Sequence, residues 1–339
     1  MSEDVRTKLQ ALSSGQSMRK RQSPKRKKST PKERVQKPKV EIQDVSHETD
    51  SVEEHANVLF KPNEGPQTEF LAASEREVLY GGSAGGGKSY AMLADPLRYM
   101  GHPQFSGLLL RHTTEELREL IFKSQELYPK IWPGIKWSER KMQWTAPSGA
   151  RLWMSYLDRD EDVLRYQGLA FSWIGFDELT QWATPYAWNY MRSRLRSTAT
   201  DLPIFMRATT NPGGRGHHWV KKMFIDPSPY NRSFDATDID TTEVLRYPAG
   251  HSKAGKPLFK RRFIPARLSD NPYLSQAGDY EAMLLSLPEQ QRRQLLQGDW
   301  DIKEGAAFTE FDRHVHVIEP FNIPSNWVKF RACDYGYGS

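Results

Sequence analysis

One stretch of eight residues constrains this chain more than any other: residues 82–89, which read Gly-Ser-Ala-Gly-Gly-Gly-Lys-Ser. The stretch fits the pattern G-x-x-x-x-G-K-[ST] without a mismatch. Residues 77–80 before it are suited to a short buried strand, and residues 89–93 after it read as the start of a helix. A glycine-rich loop in that position directs several backbone N–H groups, and the positive end of the helix, at one point. The pattern therefore predicts a phosphate-binding loop, and the alternative is a glycine-rich turn that fits by chance.

Each part of such a loop has its own task. Backbone N–H groups would surround the phosphates, Lys88 would reach the β- and γ-phosphates as a catalytic cation, and the Ser89 hydroxyl would bind Mg²⁺. We therefore expect a nucleoside triphosphate and Mg²⁺ as ligands. The loop residues expected to contact the nucleotide are Gly82, Ser83, Ala84, Gly85, Gly86, Gly87, Lys88 and Ser89.

Length and composition exclude several classes of protein. The 339 residues suffice for one large domain or slightly more. No apolar run approaches the roughly 20 residues that a membrane helix needs, and the N-terminal segment lacks the apolar core of a secretory signal. The single cysteine, Cys333, excludes an internal disulfide and a zinc site built from cysteines. A soluble protein of a reducing compartment is the simplest interpretation.

The net charge of +6 is distributed unevenly along the chain. Residues 1–40 contain 13 Lys/Arg and 3 Asp/Glu, which leaves 35 basic and 39 acidic residues in the remainder. Residues 1–55 have almost no aromatic side chains and predict a disordered tail. Its basic clusters could contact nucleic-acid phosphates without sequence preference, or they could be solvated with no fixed partner. The tail's charge therefore says nothing about the surface of the folded part.

Apolar segments after the loop predict strands at 107–111, 171–176 and 203–209, alternating with helical stretches. Thr114 is the expected N-cap of one of these helices. Residues 142–156, with Pro-Ser-Gly at the centre, predict a β-hairpin. We therefore expect an α/β fold, a P-loop NTPase with a mainly parallel sheet flanked by helices. Ligands of such sheets collect at the carboxyl ends of the strands.

Polar residues stand at two of those predicted strand ends. Asp177 is expected to bind Mg²⁺, usually through water, and Glu178 to act as the general base. A hydrolase needs this second carboxylate and a small-molecule kinase does not; the alternative is an acidic pair at the start of the next helix. Thr210 and Asn211 are expected to contact the γ-phosphate or the attacking water, and the alternative is a simple turn.

Phosphoryl transfer also benefits from an arginine near the γ-phosphate, and the loop itself contains none. Arg165, shortly before the acidic strand, is the preferred candidate, although each arginine in this region could be a surface charge. His217 and His218 are expected to be structural, because adjacent side chains point in different directions and no carboxylate is spaced to complete a metal site. The other arginines considered are Arg192, Arg194 and Arg196.

Taken together, these residues resemble the large terminase subunit of tailed bacteriophages, from about Phe60 onward. Residues 62–71 are similar to that family's adenine-recognition segment, in which the amide of Gln67 would read the adenine edge. Residues 209–212, Thr-Thr-Asn-Pro, are similar to its coupling motif. The stretches 268–274 and 296–300 resemble its lid and linker segment.

The resemblance implies an ATP-hydrolysing motor that moves double-stranded viral DNA into a procapsid, with ATP and Mg²⁺ as cofactors. It implies a portal protein and a small terminase subunit as partners, a homo-oligomeric ring, no membrane, and a place in the host cell cytoplasm. After the disordered tail that the composition predicts (1–55), the resemblance implies three parts: a P-loop ATPase core (56–265), a lid and linker segment (266–325), and the first strand of an RNase H-like nuclease domain (326–339).

In that nuclease strand Asp334 would be the first metal carboxylate. Two-metal hydrolysis needs several converging carboxylates, and this chain lacks the others, so we expect a motor without cutting activity. A helicase or another nucleic-acid-remodelling ATPase is the alternative, although the chain after Asn211 leaves little room for a second motor domain. A nucleotide-binding switch or a small-molecule kinase is a third possibility, opposed by Glu178 and by the adenine segment. A GTPase would in addition be expected to have an Asn-Lys-x-Asp guanine motif, which the sequence lacks.

Overall fold

The computed structural model describes residues 60–228, 231–275, 278–302 and 324–328. The charged tail predicted at 1–55 and Asp334, the expected nuclease ligand, lie outside the described residues. None of the helices in the described ranges is long and apolar enough to span a bilayer.

One sheet forms the centre of the described part of the chain. Its strands are β1 Glu77–Gly82, β2 Ser106–Arg111, β3 Lys136–Ser138, β4 Gln143–Thr145, β5 Arg151–Tyr156, β6 Trp173–Asp177, β7 Phe205–Thr210, β8 Ser233–Asp235 and β9 Lys260–Ala266. They are arranged in the order β3-β4-β5-β2-β6-β7-β1-β9-β8. Neighbouring strands from β5 to β9 in that order pair in parallel, and β3, β4 and β8 pair antiparallel at the two edges. The expectation of a mainly parallel sheet is confirmed.

The central strands are covered on both faces. Every residue of β1 and β6 is buried, as parallel sheets require because crossover helices lie on their faces. This burial explains why the strand segments of the sequence are nearly continuous apolar runs. The helices are α1 Pro66–Ala72, α2 Lys88–Ala94, α3 Thr114–Ile131, α4 Tyr186–Arg192, α5 His217–Val220, α6 Pro272–Ser275, α7 Asp279–Leu285 and α8 Glu289–Arg292.

Element boundaries differ from the sequence-based expectations by one or two residues. The predicted strand at 171–176 begins at Trp173, because Phe171 forms only an isolated bridge with Leu195. The N-cap of α3 is Thr113, so the prediction of Thr114 was wrong by one residue. The Thr113 hydroxyl accepts from the Glu116 N–H at 3.3 Å, and the Glu116 carboxylate accepts from the Thr113 N–H. This reciprocal capping box satisfies two otherwise unpaired helix donors.

The amino end of β1 carries a buried ion-pair cluster. Glu77 pairs with Arg192 and with Arg261, whose Nε lies 2.7 Å from Glu77 Oε2. Burial alone would raise the pKa of Glu77, but Arg261 and Arg192 outweigh it and hold that pKa below its ordinary value. Arg192 therefore stands at the opposite end of β1 from the glycine-rich loop, which rules it out as a phosphate contact within its own subunit.

Candidate functional site

The glycine-rich loop leaves the end of β1 and enters α2 at Lys88. Gly85 and Gly87 have φ values of +78° and +77°, a region that glycine adopts without steric cost. The Tyr80 hydroxyl donates to the Gly86 carbonyl at 2.6 Å, which ties the loop back to its own strand. The loop conformation is thus set by glycines and by one buried tyrosine.

The backbone N–H groups of the loop fall into two sets. Ser83 N–H donates to the Ala266 carbonyl at 2.8 Å, and Ala84 N–H donates to the Leu295 carbonyl at 2.6 Å. The N–H groups of residues 85–87 donate to no acceptor among the described residues. Unpaired loop donors at a helix N-terminus form an anion-binding concavity. The amides available to phosphate are therefore those nearest α2.

Lys88 lies at the start of α2 with its side chain buried. Its Nζ donates to the Ser83 carbonyl, so the ammonium group lies against the loop that it would share with phosphate. Burial lowers the pKa of Lys88, and the nearby carboxylates of Glu178 and Asp177 oppose that change. Lys88 is thus electrostatically linked to the acidic pair predicted from the sequence.

Asp177 is the last residue of β6, and its side chain is completely buried. It accepts a hydrogen bond from the Thr209 hydroxyl on β7. Arg111, the last residue of β2, places its Nε 2.8 Å from Asp177 Oδ2. This close ion pair is not aligned as a hydrogen bond, and Asp177 Oδ2 has no hydrogen-bond donor among the described residues. Sequence analysis missed Arg111 as a member of this site.

Glu178 follows Asp177 in the left-handed conformation, with φ 59° and ψ 57°. Its Oε2 accepts from the Asn211 N–H at 3.4 Å. Burial and then the neighbouring Asp177 charge raise the pKa of Glu178, opposed by Lys88 and Arg111. A carboxylate with a raised pKa beside a phosphate site fits a general base, which needs a pKa close to the working pH.

The polar turn after β7 contacts the residues that follow Glu178. The Thr210 and Thr180 hydroxyl oxygens are 2.7 Å apart, and the Thr180 N–H donates to the Thr210 hydroxyl at 3.2 Å. Asn211 Oδ1 is buried without a hydrogen-bond partner among the described residues, an arrangement that in native proteins calls for a water or a ligand. The turn therefore lies against the acidic pair, as the sequence predicted.

Gln67 connects the predicted adenine segment to the loop. Its Oε1 accepts from the Asn63 N–H at 2.6 Å, and its Nε2 donates to the Gly87 carbonyl at 2.9 Å. An amide has two donor hydrogens and two acceptor lone pairs, so one of each stays available to a base. Gln67 thus ties the predicted adenine segment to the phosphate loop.

Arg165 is not in contact with these residues within the subunit. Its side chain donates to the Tyr156 carbonyl at 3.0 Å and to the Asp162 carbonyl at 3.2 Å, and it is 46% exposed. A role for Arg165 in the chemistry therefore requires a site on another subunit.

The segment after β9 packs directly on the loop. Asn271 Nδ2 donates to the Gly85 carbonyl at 2.7 Å, and Gly298 lies so close that an added Cβ would fall 2.6 Å from Ser83 N. Trp300 stacks on the His217 ring with centroids 5.4 Å apart. The expected lid and linker stretches therefore contact the phosphate loop, and β9 itself crosses the boundary predicted between residues 265 and 266.

His217 has the structural role expected for it. Its Nδ1 accepts from the Gly213 N–H at 2.8 Å, and its Nε2 lies 3.1 Å from the Trp300 carbonyl. The buried ring thereby connects the turn after β7 to the segment that ends near residue 302.

These features define a class of protein. A parallel sheet that carries a glycine-rich loop and a Lys-Ser helix start on one strand, with an Asp-Glu pair two strands away, is the P-loop nucleotide-binding fold.

The family described as "Terminase large subunit, T4likevirus-type, N-terminal" matches residues 79–314, and the chain belongs to this family. The large terminase of a thermophilic bacteriophage has a similar structure, with a TM-score of 0.52 and 16% identity over 78% of this chain and 59% of that one. The complex of the same phage terminase with ADP gives a TM-score of 0.50, 17% identity and coverage of 78% and 60%. Its complex with ATP-gamma-S gives a TM-score of 0.50 and 16% identity over 78% of this chain and 59% of that one.

At such identities the likeness shows a shared fold. The chain spans about 60% of the length of these solved terminases. No curated protein matches this chain in sequence.

Proposed function

We propose that this chain hydrolyses ATP to drive double-stranded viral DNA into a procapsid, as the motor part of a large terminase subunit. One observation carries the proposal: the Asp177–Glu178 pair lies at the carboxyl edge of the same parallel sheet as the loop, whose residues 85–87 leave their N–H groups unpaired among the described residues. A nucleotide-binding switch needs the loop alone. A raised-pKa carboxylate beside the loop is what a hydrolase adds.

Mg²⁺ fits the residues at this edge. It prefers oxygen ligands and keeps several waters, and the Ser89 hydroxyl and the Asp177 carboxylate supply such oxygens. Asp177 Oδ2, buried and without a hydrogen-bond donor in the part of the chain that the structure describes, supports this assignment. When bound, Mg²⁺ would neutralise charge on the β- and γ-phosphates.

The protein's own groups would divide the remaining work. The N–H groups of residues 85–87 and the Lys88 ammonium hold the phosphates. Glu178 takes a proton from the attacking water while the water oxygen bonds to the γ-phosphorus. The bond between the γ-phosphorus and the β–γ bridging oxygen then breaks, which releases ADP and phosphate. Asn211, whose N–H already contacts Glu178, keeps the base oriented. Gln67 reads the adenine.

Within the described part of the chain, Arg165 bonds to Tyr156 and Asp162 and not to the phosphate loop or the acidic pair, which supports its action across a ring interface. The proposed partners are double-stranded DNA, a portal protein, a small terminase subunit and further copies of the chain in a ring. The proposed location is the host cell cytoplasm. A nuclease domain that uses Asp334 belongs to the full-length protein in this proposal.

ATP hydrolysis measured against protein concentration tests the proposal. Turnover per chain should be low in dilute protein and should rise with concentration, since the arginine comes from a neighbour. Arg165→Ala should lose that rise while it still binds ADP. Brisk turnover that is independent of concentration would refute the shared site, and the absence of nucleotide binding would refute the function itself.

A further inference from the structure

Arg111 stands beside the acidic pair because of strand order. Strands β2 and β6 pair in parallel with Leu110 opposite Phe176, so the next residues, Arg111 and Asp177, are neighbours at the carboxyl edge. The Arg111 side chain is 11% exposed, and its Nε lies 2.8 Å from Asp177 Oδ2. The phosphate loop has no arginine, so Arg111 is a cation of this edge supplied by another strand.

The way Arg111 is held differs from that of the other buried arginines. Arg261 donates to Glu77 and, at 2.7 Å, to the Thr237 carbonyl. Arg207 donates to the carbonyls of Ala73 and Glu75 at 2.7 and 2.9 Å. These carbonyl bonds fix each guanidinium in place.

Arg111 donates no aligned hydrogen bond to any described residue, and its Nε is a buried donor without a partner among them. Its attraction is purely to charge: the carboxylates that act on it are Asp177, Glu178, Glu116 and Glu119. A guanidinium has five N–H donors in a rigid fork, and structural arginines normally use them. Arg111 thus lies against one oxygen of Asp177, and no hydrogen bond to a carbonyl of the described residues fixes its guanidinium.

We propose that Arg111 is a positioning residue that occupies Asp177 Oδ2 before the metal arrives and gives that oxygen up when Mg²⁺ and nucleotide bind. The inference depends on the proposed function, because it assigns Asp177 to Mg²⁺. Arg111 and Mg²⁺ then compete for the same oxygen, and Arg111 sets the Mg²⁺ concentration at which nucleotide binds. Between cycles it also keeps a buried carboxylate from standing alone, which is costly in a protein interior.

The test is nucleotide binding rather than turnover. Fluorescent ADP would be titrated at a series of free Mg²⁺ concentrations with the full chain, Arg111→Gln, Arg111→Lys and Arg118→Gln. Arg118 is an exposed cation on α3 and controls for the loss of one positive charge. In Arg111→Gln the half-saturating Mg²⁺ concentration should fall about fivefold or more, the order expected when a unit charge beside a dication is removed. Arg111→Lys should shift it less in the same direction, and Arg118→Gln should not shift it.

Urea unfolding followed by circular dichroism reports whether each variant is folded. If Arg111→Gln fails this check, Arg111→Lys decides the outcome. An unchanged Mg²⁺ dependence in the folded variant would overturn the role of Arg111 and leave the proposed function standing. A wild-type chain that binds no nucleotide at any Mg²⁺ concentration would overturn both.

Discussion

Gly298 allows the contact between the carboxyl-terminal segment and the phosphate loop to be tested by one methyl group. Its φ is +67°, and a Cβ there would lie 2.6 Å from Ser83 N and 2.9 Å from the Gly82 carbonyl carbon. Both are main-chain atoms of the loop, so neither can rotate away. Gly298→Ala should therefore displace the loop backbone, although residue 298 belongs to no nucleotide-binding motif.

The expected loss has two parts. A left-handed alanine costs about 1–2 kcal/mol relative to a relaxed conformation, and overpacking adds about 1–3 kcal/mol. Gly255 separates these parts, because its φ is +76° and no atom of the described residues lies within 4 Å of a Cβ placed there. Gly255→Ala should lose only the first part, and Gly298→Ala should lose roughly 2–5 kcal/mol in total.

Urea unfolding would measure the stability of both variants, and fluorescent ADP would measure nucleotide affinity. We expect ADP affinity to fall about tenfold in Gly298→Ala. This loss corresponds to about 1.4 kcal/mol, the part of the strain that distorts the phosphate loop. ADP affinity should be unchanged in Gly255→Ala. Equal destabilisation of the two variants with normal ADP binding in both would refute the contact and the reasoning built on it.

Three further predictions concern single side chains. Glu178→Gln should bind ATP normally but hydrolyse it about 10²–10⁴-fold more slowly. Because the pKa of Glu178 is raised, the wild-type hydrolysis rate should increase with pH through a pKa above the ordinary glutamate value. A rate that does not change with pH would contradict the assignment of Glu178 as the general base. Gln67→Ala removes the bond to the Gly87 carbonyl and should lower both ATP affinity and preference over GTP, measured by competition; unchanged preference would exclude adenine reading. The pKa of Glu77 is lowered on folding, so the ionised carboxylate stabilises the fold fully above about pH 4.3, and this stabilisation is lost as the pH falls through the lower pKa of the folded state. The difference in unfolding free energy between wild type and Glu77→Gln should therefore become smaller in acid. A difference that stays constant with pH would contradict the ion-pair account.

Features that depend on a local sequence pattern could be predicted from the sequence alone. The loop, the strand before it and the helix after it lie together in the chain, and the structure confirms all three elements. The placement of Asp177 and Thr210 at one edge followed from a general rule, because carboxyl ends of parallel strands share an edge. Neither inference required knowledge of which strands are neighbours.

Features that depend on strand order could not be predicted in this way. Arg111 and Asp177 are far apart in sequence, and they meet only because β2 lies next to β6. The approach of Gly298 to Ser83 likewise depends on the path of the chain after β9. A single signal was available in the first case: Arg111 ends an otherwise apolar strand, as Asp177 does.

Net charge was also a poor guide to the buried arginines. Arg207 and Arg261 are completely or almost completely buried, yet a count of charged residues treats them like any surface cation. Their burial is tolerated because Asp95, Glu77 and backbone carbonyls accept from or pair with them. Such partners are separated by many residues, so composition alone cannot identify them.

The left-handed backbone of Glu178 has a consequence for anyone who selects variants of this protein. A residue other than glycine is disfavoured in that conformation by about 1–2 kcal/mol. Glycine at position 178 would therefore relieve backbone strain, but it would also remove the carboxylate. A library screened only for heat resistance should accumulate glycine at residue 178 and lose hydrolysis as it gains stability. Directed evolution of this chain would therefore have to select for turnover at every round.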